Sequence, residues 1–143
     1  MNAPSLAKER GIKIRETKEK EHEDFATLLS IRLKSKGGEN AAHGTLLGKK
    51  EPRLVKVNKI AVDADLTGNI LCMYTYDKPG VIGDTTTLLA KKGFNIAGMH
   101  FGRESVGGLS LSMIDVDDYV DDAVLKELRA LPNVIDIKRI DLS

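Results

Sequence analysis

Asp77 closes an apolar run and is followed by Lys78-Pro79-Gly80 and the helix-like stretch Val81-Ile82-Gly83; Asn95 then returns where the next apolar stretch begins. An acidic side chain at a strand end, turned by Pro and Gly into a helix start, puts a carboxylate beside unpaired backbone N–H donors. Such donors attract an anion, and Asp77 can receive a cation or a hydroxyl. A zwitterionic amino acid offers both. A second reading stands beside this one. Asp before Lys-Pro-Gly is good turn chemistry by itself, and Asn95 at a strand entry can satisfy local backbone. Spacing alone leaves both open.

The elements that must position these residues follow from periodicity. Ile70 to Tyr76 is a nearly continuous apolar run, which predicts a strand buried on both faces. Val81, Thr85, Leu88, Leu89 and Lys92 share one helical face, and Gly93 closes that helix. Val106-Gly107-Gly108 turns a second strand into a third, where Leu109, Leu111 and Met113 alternate with Ser110 and Ser112. Acidic residues from Asp117 to Asp122 support the start of a last helix with Val124, Leu125, Leu128 and Leu131 on one side. Pro132-Asn133 ends it, and Val134, Ile135, Ile137 and Ile140 carry a closing strand. The order βαββαβ over residues 67–143 predicts a ferredoxin-like antiparallel sheet with both helices on one face, the other face or an edge being left for a partner.

Residues 1–66 read differently. Asn2 and Pro4 suit a short helix ending at Gly11, and Met1 directly before that cap predicts a product that begins partway through a domain. Ile12 and Ile14 give a short strand signal, and Lys18 to Asp24 reads as a solvated charge run. Strands are then expected at about 29–34, 40–47, 53–57 and 60–65, joined by turns at Lys36-Gly37-Gly38-Glu39, 48–52 and Asn58-Lys59. The fold class is α+β, a small helix-plus-strands partial domain before the ferredoxin-like one. Its first part is short of helices to cover its sheet.

Composition narrows the function. In 143 residues, 22 basic and 21 acidic side chains leave a net charge of +1, which makes no case for nucleic acid or an acidic membrane surface. No apolar run approaches the ~20 residues of a membrane helix. Cys72, the single cysteine, lies in an apolar run and reads as a buried thiol in a reducing cytoplasm. His22, His43 and His100 are scattered without metal-ligand spacing, so no metal is expected. Gly80 and Gly83 alone make no dinucleotide fingerprint, and no nucleophile motif occurs, so neither cofactor nor catalysis is expected on this chain.

The stretches Asp77-Lys78-Pro79-Gly80-Val81-Ile82-Gly83, Leu88-Leu89 and Gly93-Phe94-Asn95-Ile96-Ala97 resemble the signature of ACT domains, amino-acid-sensing modules of metabolic enzymes. Upstream, residues 2–12, His43-Gly44-Thr45 and Lys50-Glu51-Pro52-Arg53 resemble the intervening domain of the D-3-phosphoglycerate dehydrogenase family. The resemblance implies domains at 1–66 and 67–143, regulation of an NAD-dependent dehydrogenase of serine biosynthesis, and L-serine or a related small amino acid as effector, bound between the ACT domains of a homodimer. It assigns Thr75 and Asp77 from one copy and Asn95 from the other to the ligand, with Lys78, Pro79, Gly80, Val81 and Ile82 as wall and backbone donors. Family members commonly carry a larger His or Tyr at the position of Thr75. The same resemblance makes Arg53 and Lys56 a possible anion site, against their ordinary reading as solvent-facing charge. Two alternatives stand beside it: the regulatory part of an iron–sulfur L-serine dehydratase, and a dimerisation module without effector.

Overall fold

The computed structural model describes residues 3–17, 27–48 and 50–142. After helix α1 (Ala3–Glu9), four strands form an antiparallel sheet in sequence order: β1 (Leu29–Ser35), β2 (Gly38–Leu47), β3 (Glu51–Val57) and β4 (Ile60–Asp65). Then follow β5 (Asn69–Tyr76), α2 (Val81–Lys91), β6 (Ile96–Arg103), β7 (Leu109–Val116), α3 (Asp122–Arg129) and β8 (Val134–Asp141). Their sheet is antiparallel with order β6-β7-β5-β8. This is the ferredoxin-like arrangement that the βαββαβ order predicts, and the chain as a whole is α+β.

β5 lies between β7 and β8, and side chains alternate across a strand, so each of its faces must be buried separately. On one face, Leu71 and Met73 pack with Ile114, Val116 and Ile137 beneath α2 and α3. α3 contributes Val124, Leu125 and Leu128, and Asp121 caps it by accepting a hydrogen bond from the Val124 amide at 2.9 Å. On the other face, Ile70, Leu111 and Met113 form a second core with Ile60, Val62 and Ala64 of β4. That face, one of the two places expected to await a partner, is therefore covered within the chain, while β6 and β8 remain edges. The reason is the clean alternation of β4, whose apolar residues point to the second sheet while Ala61 and Asp63 stay exposed.

The approach of β4 is close. Gly102 of β6 is buried, and a Cβ built there would stand 2.0 Å from the Ala61 carbonyl oxygen and 2.8 Å from Ile60 Cγ2. Only a residue without a side chain lets the two backbones meet this way. Lys59 adds an ion pair to Glu104 at 3.4 Å, with the Lys59 side chain largely in solvent and that of Glu104 about one-third exposed.

Two expectations need correction. Ile12 and Ile14 form no strand; they are 50% and 65% exposed, and a short extended stretch without a paired neighbour has no ladder to hold it. β1 forms, but Leu29, Ile31 and Leu33 are 68%, 62% and 59% exposed. Its alternation is present, yet β1 is the far edge of a sheet whose opposite edge meets the core. The charge run Lys18 to Asp24 lies outside the described residues.

Candidate functional site

β5 ends at Tyr76, and Asp77 leaves the sheet with its amide bonded to the Gly108 carbonyl at 2.8 Å. Gly80 then takes φ 94°, a left-handed conformation suited to glycine, and reverses the chain into α2. No side chain caps α2 among the described residues, although Val81 N reaches the Lys78 carbonyl at 3.5 Å. The first-turn amides of Val81 and Ile82, four and five residues after Asp77 in the chain, form the positive end of the helix. Lys78, Pro79, Gly80 and Ile82 are exposed, whereas Val81 is buried and anchors the turn.

The Asp77 carboxylate has partners that motif reading does not disclose. Its Oδ2 accepts hydrogen bonds from Arg103 Nη1 at 2.9 Å and from the Gly107 amide at 3.1 Å. The Gly107 amide foremost, then the Arg103 guanidinium, hold the Asp77 carboxyl below the usual carboxylate range. Arg103 ends β6 and Gly107 lies in the β6–β7 turn, so both are remote in sequence. The only signal that could have found Arg103 is the register that pairs Arg103 with Ser110, one residue beyond the Tyr76–Leu109 pair.

A depressed folded pKa stabilises the fold above the unfolded pKa, and this contribution is lost as pH falls through the lowered folded value. Wild type should therefore melt above Asp77→Asn at pH 6, and the difference in thermal midpoint should close as the pH falls below the ordinary carboxylate range. A difference that stays constant down to pH 2 would contradict the ionic role of Asp77.

Of the other expected ligands, Thr75 stands two residues before Asp77 at the same end of β5, whereas Asn95 is remote from it within one copy. Thr75 is 1% exposed and its hydroxyl lies 2.6 Å from that of Ser110, inside the helix-covered face. Asn95 donates from Nδ2 to Asp117 Oδ2 at 2.7 Å. β5 and β6 each pair antiparallel with β7, so they run parallel; Asp77 follows the end of β5 and Asn95 precedes the start of β6. Within one copy the two residues stand at opposite ends of the sheet, about 25 Å apart at ~3.3 Å per residue.

Arg53 is engaged by two carboxylates, donating from Nε to Asp63 Oδ1 at 2.8 Å and from Nη1 to Asp65. Lys56 is exposed on the same strand. A cleft of about 380 Å³ beside Arg53 is walled by Leu29, Gly44, Leu46, Pro52 and Leu66. His43 lies against Ser30, with 2.8 Å between Nδ1 and Oγ, and His100 stands 3.6 Å from Asp115 on β7. His22 lies outside the described residues. Among the described residues no group of three His, Cys, Asp or Glu could hold a metal ion. Burial pushes the Cys72 thiol above its ordinary range, leaving little thiolate. No described helix is long and apolar enough to cross a membrane.

Comparison with known proteins finds two separate family matches along the chain. Residues 1–58 match the D-3-phosphoglycerate dehydrogenase intervening domain, and residues 71–136 match the AHAS small subunit-like ACT domain. The D-3-phosphoglycerate dehydrogenase of Archaeoglobus fulgidus is 36% identical over 99% of this chain, and that of Bacillus subtilis is 30% identical over 99%. The chain spans 27% of the length of each. A Bacillus subtilis protein named "Probable L-serine dehydratase, beta chain" is 33% identical over 77% of this chain and 50% of its own length. The chain thus joins a phosphoglycerate dehydrogenase-type intervening segment to an ACT domain, and along 99% of its length it is a relative of the C-terminal regions of the D-3-phosphoglycerate dehydrogenases.

Proposed function

We propose that the chain is an amino-acid-sensing regulatory module, that L-serine is its effector, and that it acts as a homodimer on a D-3-phosphoglycerate dehydrogenase of the cytoplasm. In this reading the NAD-linked oxidation of 3-phosphoglycerate belongs to the enzyme so regulated. The observation that carries it is the Asp77 carboxylate, which holds the cationic Arg103, three residues before the N-cap Gly80 of an α2 without a side-chain cap: a cation acceptor followed by anion-binding amides. A free amino acid presents one ammonium and one carboxylate to such a pair.

The placement of Asn95 supports a second copy. β6 is an edge strand, and a two-fold axis that pairs two β6 edges antiparallel carries Asn95 of one copy toward Arg103 and Asp77 of the other. Phe101, 41% exposed on β6, would lose its water contact there. Thr75 belongs to this site as the buried support of the strand end, and Lys78 to Ile82 as its wall. Regulation of an L-serine dehydratase is the second reading, supported by the Bacillus subtilis match, which covers 77% of the chain against 99% for the dehydrogenases; the wider coverage favours the first reading.

Calorimetry with L-serine, glycine and L-alanine tests the proposal. L-Serine should bind wild type, Asp77→Ala should abolish measurable binding, and Asn95→Ala should weaken it by about 0.5–1.5 kcal/mol, a typical hydrogen bond. Light scattering should report twice the chain mass. Binding that survives both substitutions unchanged places the effector elsewhere, and no binding of any amino acid leaves a dimerisation module.

A further inference from the structure

The last two residues of β6 and the one that follows reach two different parts of the molecule. Successive side chains of a strand point to opposite faces. Gly102 lies buried against the backbone of β4 at Ala61, and Glu104 pairs with Lys59 at 3.4 Å, one residue before β4 begins. Between them Arg103 points the other way and gives Nη1 to Asp77 Oδ2 at 2.9 Å. The strand end that seats β4 is therefore tied to the carboxylate at the start of the α2 turn.

Arg103 is half-exposed and Asp77 is the carboxylate that holds it. An ammonium group arriving at Asp77 is a second cation for the oxygen that Arg103 already occupies. We propose that Arg103 is the positioning residue of this site: on Asp77 it locks the end of β6 against β4, and the ammonium of a bound amino acid displaces it, so that occupancy reaches the β1–β4 sheet. This rests on the reading of Asp77 as the ammonium acceptor. The ligand needs no contact with β4, because one strand end carries both ties.

Hydrogen exchange of the amides of residues 60–65 in the full chain reads the lock directly, with L-serine as the probe and calorimetry alongside. In wild type, saturating L-serine should speed their exchange by about fivefold or more, the lower end of ordinary allosteric coupling. Arg103→Gln should exchange fast without ligand, bind L-serine more tightly by a similar factor, and show no further response. Arg103→Lys should restore both the slow state and the response. Tighter binding separates displacement from a structural role, which would weaken binding. Weaker binding in Arg103→Gln with a full response at 60–65 would overturn the proposal and make Arg103 a ligand contact. If wild type binds no amino acid, the effector reading fails and the ligand-free arm decides the lock. There Asp77→Asn should speed exchange at 60–65, and unchanged exchange would overturn it.

Discussion

Gly102→Ala is expected to destabilise the chain by about 3 kcal/mol, the upper end of the usual overpacking range. The added methyl would meet the Ala61 carbonyl oxygen at 2.0 Å, and that atom is backbone in a paired strand, with no rotamer by which to withdraw. β4 must retreat as a unit. Ile60, Val62 and Ala64, now 3%, 7% and 0% exposed, then lose part of their packing on Ile70, Leu111 and Met113. Urea denaturation should show a lowered midpoint, and hydrogen exchange should place the opening in residues 60–65 while α2 and α3 keep their protection. An unchanged midpoint would mean that β4 does not sit on β6 in solution.

Leu128→Ala should cost about 2–5 kcal/mol, because it removes a wholly buried side chain from the last turn of α3 and leaves a cavity over β8. The neighbours cannot close that space cheaply: Ile137 below is held in the sheet ladder, and Leu125 and Val124 are fixed by the same helix. Leu29→Ala is the control. Leu29 is 68% exposed on an edge strand, so its replacement should stay within about 0.5 kcal/mol. Equal losses for the two variants in urea unfolding would indicate that something covers β1 in solution.

Much of the fold was legible because its causes are local. The alternation in β4 and β7, the helical spacing of Val81, Thr85 and Leu89, the glycine at position 93 and the Pro-Asn stop before β8 each act within one or two turns of chain. Their elements stand where the spacing predicts, with Asn58 and Asn133 both taking the positive φ that their turns require. The failures have one cause as well. Ile12 to Arg15 and the outer face of β1 have the right alternation, but alternation states only which side wants burial; whether anything arrives there depends on another element.

The residues of the candidate site divide along the same line. Sequence by itself determined Asp77, the Pro-Gly turn and the start of α2 as one unit, since contiguous residues carry the chain from the end of β5 into the helix. Tertiary structure decided the rest. Strand order sends Asn95 to the far end of the sheet from Asp77, and register brings Arg103 onto it from 26 residues away. Packing seats β4 on Gly102. Pairing and packing across such separations depend on which strands become neighbours, a choice made by the burial of whole faces and not by any short stretch of residues.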